Sequence, residues 1–212
     1  MSREPSDFIP KLYKAYDFFN ERLFDNELPH VMLILHRHQK EFGHFWGEIF
    51  QNSDGYKVSE ISINPDYMDR HDRETLSTLV HEMCHVKQYM ILGNTLPTIG
   101  HCTKWAKQMK KVGLIPSATG KPGGRQTGKS MTHYIKEGGP YDQAYVEWYS
   151  ENGKLSWHSS NRLKQVILKK KTKRKKTRIT KICPECNQKV STKPDFDLVC
   201  YDCQTLLKSL GE

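Results

Sequence analysis

The sequence lacks the features that would place it in a membrane or send it out of the cell. Its longest apolar runs are short, such as residues 31–35, whereas a membrane-spanning helix needs about 20 apolar residues. The first seven residues hold no apolar signal-peptide core. We therefore expect no membrane association and a cytoplasmic location, or a nuclear one in a eukaryote.

The cysteines do not have the layout of a secreted, disulfide-linked domain. Four of the six form two Cys-x-x-Cys pairs near the C-terminus. The other two, Cys84 and Cys102, stand beside candidate metal ligands. This distribution favours thiolates bound to metal in a reducing compartment.

Acidic residues are missing from one stretch, residues 164–181, which contains ten Lys or Arg and no Asp or Glu. The whole chain has a formal charge of +9, and without this stretch its net charge is −1. Self-repulsion predicts an extended linker. It is either a solvated spacer or a nucleic-acid anchor that acts by counterion release. The candidate contacts are Lys169, Lys170, Lys171, Lys173, Arg174, Lys175, Lys176 and Arg178.

A His-Glu-x-x-His pattern lies in a run with helical periodicity. Leu76, Leu79, Val80 and Met83 form an apolar stripe. On a helix His81 and His85 project from one face, one turn apart, where they can share a zinc ion. Glu82 would then reach a water bound to that metal. The alternative is a helix whose two histidines only pack against its neighbours.

The surrounding sequence predicts an α+β fold. Residues 7–24 form an amphipathic helix, and residues 31–35, 43–50 and 58–64 form strands of a small antiparallel sheet. Asp72 would cap the long helix 73–92. A shorter helix follows at 101–112, then a long loop at 113–130 and a helix at 141–151.

A catalytic zinc needs a third protein ligand and an open position, and His101, sixteen residues after His85, is the best candidate. These residues, with LFDNELP at 23–29, GHFWG at 43–47 and ISINP at 61–65, resemble the SprT-like domain of bacterial SprT proteins and eukaryotic Spartan proteases. The resemblance covers residues 8–115 well and weakens to about residue 160. It implies a zincin-like fold, zinc on His81, His85 and His101, and Glu82 as the catalytic base.

Two further features have competing interpretations. His133 or Tyr134, after the Gly-rich loop, could stabilise the oxyanion of a tetrahedral intermediate, although a structural role is the simpler reading. Residues 123–130 satisfy the G-x-x-x-x-G-K-S pattern of a phosphate-binding loop. However, no buried strand precedes them and no clear helix follows, so we expect a basic flap near the site instead.

The C-terminal cysteines predict a structural zinc ribbon. Cys183 and Cys186 are separated by thirteen residues from Cys200 and Cys203. Four thiolates from two tight turns suit a closed tetrahedral site, and two matched pairs suit a metal better than a redox dithiol. About thirty residues cannot build a sufficient core, so the metal would stabilise this part of the chain.

Together these features predict a SprT-like metalloprotease domain at 1–163, a basic linker at 164–181 and a zinc ribbon at 182–212. We expect one catalytic and one structural zinc, protein substrates, DNA as a further partner and a monomer. The resemblance suggests repair of DNA–protein crosslinks, with the protein associated with the nucleoid if it is bacterial. The alternative is a zinc-binding nucleic-acid-binding or regulatory protein without proteolytic activity.

Overall fold

The computed structural model describes residues 5–38, 40–93, 100–155, 157, 178–193 and 196–209. The chain divides between residues 161 and 162 into two compact units. Unit 1 (residues 1–161) combines α-helices with two small sheets, and unit 2 (residues 162–212) contains one small sheet. The α+β class is confirmed. Within the described ranges, no helix has the length and apolar character needed to cross a membrane.

Two helices from opposite ends of unit 1 pack together through aromatic side chains. Helix α1 spans Phe8–Phe24 and buries Leu12, Phe19 and other residues at helical spacing. It ends where Asp25 adopts a left-handed conformation. A later helix, Pro140–Asn152, begins with a proline in its first turn and supplies the aromatic partners of Phe19, which are Tyr141 and Trp148. This aromatic layer closes one side of the core.

The main sheet of unit 1 is mixed, so the prediction of an antiparallel sheet is wrong for one of its pairs. Its strands are β1 (Met32–Leu35), β2 (Gly43–Gln51) and β3 (Lys57–Ile63), in the order β1-β3-β2. β2 and β3 are antiparallel, whereas β1 and β3 are parallel. The reason is the connection at residues 36–42, which starts beside Ile63 on one side of β3 and ends beside it on the other. β1 and β2 are thereby antiparallel to each other across β3.

Helix α2 spans Asp72–Ile91 and is the central helix of unit 1. The sequence predicts one buried stripe, but fifteen of its residues are buried, including polar ones such as Thr78 and Gln88. The expectation that Asp72 caps this helix is wrong. His71 occupies the N-cap position without a side-chain cap, and the Asp72 carboxylate accepts a hydrogen bond from the Leu155 amide at 2.7 Å.

The remaining part of unit 1 is a helix followed by a strand pair. Helix α3 spans Thr103–Lys111, strand β4 spans Leu114–Ser117 and strand β5 spans Thr132–Ile135, and helix α4 is the one already described at Pro140–Asn152. β4 lies inside the stretch predicted as loop, because its residues pair antiparallel with those of β5. The loop proper is therefore shorter and joins two strands.

Unit 2 is a three-stranded antiparallel sheet with a very small core. Its strands are β6 (Ile179–Ile182), β7 (Lys189–Thr192) and β8 (Lys208–Ser209), in the order β7-β6-β8. β6 begins inside the segment that the sequence assigned to the linker, whose borders remain a prediction. Only Cys183, Cys200 and Leu207 form its buried core among the described residues.

Candidate metal centre

Three histidines from two elements meet in unit 1. α2 carries His81 and His85 on one face, and His101 lies just before α3. Each ring offers a nitrogen, and these three nitrogens lie within 4.8 Å of one another. His81 and His85 are buried and His101 is half-buried. Three imidazoles with one side left open are the donor set of a catalytic zinc site.

The second nitrogen of each ring is held by the protein. His85 Nδ1 lies 3.2 Å from Gln88 Oε1, and His101 Nδ1 lies 3.2 Å from the Gly128 carbonyl oxygen. His81 Nδ1 lies 3.1 Å from His133 Nδ1. These contacts leave the Nε2 atom of each ring for a metal. Hydrogen bonding of the distal nitrogen is the usual way in which proteins orient metal-binding histidines, so the residues present fit a zinc ion.

Burial keeps these imidazoles uncharged. It lowers the pKa of His81 well below its ordinary value and that of His85 to about 3, and it also lowers the pKa of His101. Positive charge on neighbouring histidines adds to the effect at His81 and His85. A metal needs the lone pair of a neutral ring, so the surroundings favour the ligand form.

Trp105 forms an aromatic wall beside the three rings. Its side chain is fully buried on α3. The indole centroid lies 5.0 Å from the ring of His81, 5.3 Å from that of His85 and 4.5 Å from that of His101. Packing of this kind limits ring rotation and holds the donor atoms in place.

Glu82 follows the first ligand on α2 and lies in the same cleft. Burial, with a smaller contribution from the charge of Glu41, raises the pKa of its carboxyl group to about 8. β2 can approach this carboxylate because residue 43 is glycine. A methyl group there would lie 2.9 Å from Glu82 Oε1. A bound cation would favour the ionised form of Glu82.

The histidines and Glu82 open onto a cleft of about 780 Å³. Its walls include Trp46 from β2, Lys129 from the loop at 118–131, and His133 from β5. Tyr134 is not among the residues that line it. Both ring nitrogens of His133 are engaged, with His81 and with Ser77 Oγ at 2.9 Å. This arrangement does not support the oxyanion role suggested for either residue.

The Gly-rich loop contacts the candidate metal ligand His101. Its Gly128 amide donates to the His101 carbonyl at 3.1 Å, and its Gly128 carbonyl accepts from the His101 ring. The loop joins β4 to β5, with no helix between residues 118 and 131. A phosphate-binding loop needs a helix directly after it, so the G-x-x-x-x-G-K-S match is coincidental.

Unit 2 brings its four cysteines together. Sulfur atoms of Cys183, Cys186, Cys200 and Cys203 lie within 4.8 Å of one another. They sit on two equivalent turns: the Asn187 amide donates to the Cys183 carbonyl at 3.0 Å, and the Gln204 amide donates to the Cys200 carbonyl at 2.9 Å. Hydrogen bonds from the backbone of Cys186 and Glu185 help to lower the pKa of Cys183 to about 7. This arrangement suits a closed tetrahedral metal site.

The candidate nucleic-acid contacts at 169–176 lie outside the described residues. Arg178 is exposed and donates to the Ser191 carbonyl at 3.2 Å.

Unit 1 contains a second basic segment. Residues 83–136 contain nine Lys or Arg and no Asp or Glu, although the net charge of the chain outside the linker is close to zero. Eight of them are exposed: Lys104, Lys107, Lys110, Lys111, Lys121, Arg125, Lys129 and Lys136.

Sequence reasoning missed the partners of the ligands. Gln88 had a usable signal, because it lies three residues after His85 on the same helix. Gly128 and His133 had none, since they are 27 and 52 residues away from the ligands that they contact. Only the folded chain brings these residues together.

Comparison with known proteins agrees with this geometry. A sequence model described as the SprT-like family matches residues 12–123, which is more than half of the chain and includes all three histidines and Glu82. A curated protein of Salmonella typhimurium, described as an uncharacterized protein in the mucB 3' region, is 44% identical over 52 residues. That alignment covers 24% of this chain and 70% of the Salmonella protein.

Proposed function

The chain belongs to the SprT-like family, and from that premise we propose that it is a zinc-dependent endopeptidase. One observation carries the proposal. Three histidine rings that each offer a nitrogen within 4.8 Å of the others have their Nδ1 atoms engaged by the protein, and they line one cleft with the buried carboxylate of Glu82. This combination offers a metal site and a base in one cleft.

The residues divide the chemistry between them. Bound zinc would act as a Lewis acid and lower the pKa of a bound water toward ~7. His81, His85 and His101 would hold the ion. Glu82 would accept the proton of the attacking water and then donate it to the leaving amine. Glu82 must be ionised to take up that proton, and the bound cation would favour its ionised form against the effect of burial.

Replacement of Glu82 by Gln tests this proposal. The substitution removes the base and keeps the size of the side chain, so we expect cleavage to fall about 10²–10⁴-fold while zinc content and fold are retained. Glu151→Gln, at an exposed position on α4, is the control for loss of one negative charge. If the wild-type protein, assayed with and without DNA, cleaves neither itself nor a DNA-bound protein faster than the Glu82→Gln variant, the peptidase proposal fails.

The alternative is a zinc-binding nucleic-acid-binding or regulatory protein without hydrolysis. Both proposals require bound metal, so a zinc measurement does not separate them. The assay does, because the alternative predicts that wild type and Glu82→Gln behave identically in cleavage and in nucleic-acid binding.

We further propose that the substrates are proteins associated with DNA. The charge of residues 164–181 supports this, and so do the exposed basic side chains of residues 83–136. Each phosphate contact on duplex DNA contributes about 0.9 to the slope of log affinity against log salt. Changing the seven Lys and Arg residues at 169–176 to Gln should therefore flatten the slope markedly.

A matched variant in unit 1 locates the contact. Lys104, Lys107 and Lys111 lie on the exposed side of α3, and all three can be changed to Gln together. If this variant flattens the slope and the linker variant does not, the linker is not the anchor. If the wild-type protein shows no affinity for DNA, the proposal of DNA-associated substrates fails.

A further inference from the structure

One of the three ligands is held differently from the others. The partners of His85 and His101 are an amide oxygen and a main-chain carbonyl oxygen, which accept a hydrogen bond at these contacts. The partner of His81 is the ring of His133, and a ring nitrogen is a donor in one tautomer and an acceptor in the other. The ligand form of His81 therefore depends on the tautomer of His133.

A chain of hydrogen bonds fixes that tautomer. The Ser77 hydroxyl donates to the Glu74 carbonyl oxygen at 2.9 Å, and that oxygen can only accept. Since the hydroxyl proton is committed there, Ser77 Oγ accepts from His133 Nε2 at 2.9 Å. His133 Nδ1 in the neutral ring is then without a proton and accepts from His81 Nδ1 at 3.1 Å.

We propose that His133 is a positioning residue for the metal site, which holds His81 in the tautomer whose Nε2 carries a lone pair. If these hydrogen bonds ran in the opposite donor-to-acceptor direction, the proton of the neutral His81 ring would lie on Nε2 and would block metal binding. This series of hydrogen bonds starts at the Glu74 carbonyl oxygen of α2 and returns to α2 at His81, through His133. Ser77 and His81, one turn apart on that helix, thus share one ring from β5.

The strand pair sets the position of His133. β5 pairs with β4 in a register that places His133 opposite Pro116. The β4–β5 pair thus positions the imidazole of His133, which contacts the ring of His81. The inference rests on the proposed zinc site but not on proteolysis.

Nitrogen-15 NMR of the histidine rings in the full-length, zinc-loaded protein tests it directly. We expect the proton of His133 on Nε2, that of His81 on Nδ1, and metal-shifted Nε2 signals for His81, His85 and His101. A proton on His133 Nδ1 would overturn the proposal. Because this measurement uses the wild-type chain and no substrate, it stands even if the protein cleaves nothing.

Zinc affinity supplies the second test. His133→Leu removes the acceptor, and the loss of such a partner typically weakens metal binding ~10–100-fold. His133→Asn keeps an oxygen acceptor near the position of Nδ1, so it should restore most of the affinity. Occupancy is read from the histidine nitrogen signals in chelator-buffered zinc, which separates this site from the four cysteines.

Two further variants complete the test. Ser77→Ala leaves His133 Nε2 without its acceptor and should weaken zinc binding less than His133→Leu does. His30→Leu, at an exposed histidine outside the site, should change nothing. If His133→Leu folds and binds zinc as tightly as the wild type, or if Asn restores no more affinity than Leu, then His133 is only a packing residue of the cleft wall.

Discussion

The two candidate metal sites of this chain stand in opposite relations to the fold around them. In unit 1 two of the three histidines, His81 and His85, are buried on α2, a helix that packs into a large hydrophobic core. In unit 2 two of the three buried core residues, Cys183 and Cys200, are themselves candidate ligands. Unit 1 can arrange its ligands before a metal arrives, whereas the described residues of unit 2 bury little apart from the candidate ligands.

This contrast separates two uses of a metal. A catalytic site must keep an open position and present rigid ligands, so its geometry has to come from the protein. A structural site can be closed, and its binding free energy then becomes folding free energy. The pattern of partners agrees, because His81 and His101 are oriented by residues distant in sequence, whereas the cysteines are oriented by short turns within each Cys-x-x-Cys pair.

Removal of zinc should give the largest difference between the units. Structural zinc sites are worth about 10–16 kcal/mol of apparent binding free energy at neutral pH, so unit 2 should unfold when a chelator removes zinc and unit 1 should remain folded. Amide NMR spectra would show loss of dispersion only for residues of unit 2. Retained structure in unit 2, or unfolding of unit 1 first, would break the comparison.

In the metal-free protein, acid should lower the folding stability of unit 1. His85 and His133 have folded-state pKa values lowered to about 3, and that of His81 is also low. Below pH ~6.5 the unfolded chain binds protons that the folded unit does not, so stability falls as the pH drops from ~6.5 toward 3. Thermal unfolding of the metal-free protein across this range measures the effect.

Titration of Glu82 changes the stability of metal-free unit 1 with pH in the opposite direction to the histidines. Its folded-state pKa is raised from 4.5 to about 8, so its contribution to stability is lost as the pH rises through that window. Glu82→Gln should therefore make the acid loss of the metal-free protein steeper. Stability that stays constant from pH ~6.5 to 3 in both proteins would contradict this account.

A core substitution should distinguish the units by a smaller amount. Leu76 is fully buried on α2, and Leu76→Ala should lower the free energy of unfolding of unit 1 by about 2–5 kcal/mol. The exposed Leu206 of unit 2 is the surface control, where the same change should cost less than about 0.5 kcal/mol. Denaturant unfolding of the zinc-loaded variants tests the pair. Equal costs would show that burial of the leucine does not determine the loss of stability.

The smallest substitution adds one methyl group where β2 lies close to α2. Gly43→Ala places a methyl group 2.9 Å from Glu82 Oε1, so it should displace the base and lower cleavage about tenfold or more while zinc remains bound. Gly47→Ala is the control on the same strand, where the methyl group meets the Tyr89 ring instead. It should reduce stability without selective loss of cleavage. Equal loss of cleavage in both variants would point to a general effect on packing.

The sequence predicted the elements that local patterns define. Helices at 8–24, 72–91 and 140–152 were placed within about two residues, because their apolar residues follow helical spacing and a left-handed residue or a glycine ends two of them. The Cys-x-x-Cys pairs were equally informative, because each pair shapes its own turn. The predicted ligands His81, His85 and His101 do come together.

The errors fall where pairing partners are distant in sequence. β1 contacts β3 and not the strand that follows it, so no local signal gave their parallel direction. Pro116 and the nearby glycines favour irregular structure at residues 113–130, but β4 forms there because β5, distant in sequence, pairs with it. Asp72 has the chemistry of a helix cap, but the backbone of Leu155 takes its carboxylate.

The sequence by itself determined which atoms are offered to a metal. Two histidines one turn apart, a third at the start of a helix and two cysteine pairs are chemical facts that spacing along the chain makes visible. Only the tertiary structure decided which nitrogen of each imidazole is free, and how closely β2 approaches Glu82. The reason is physical: a tautomer depends on the partner of the other nitrogen, and the partners Gly128 and His133 reach His101 and His81 only when the chain folds.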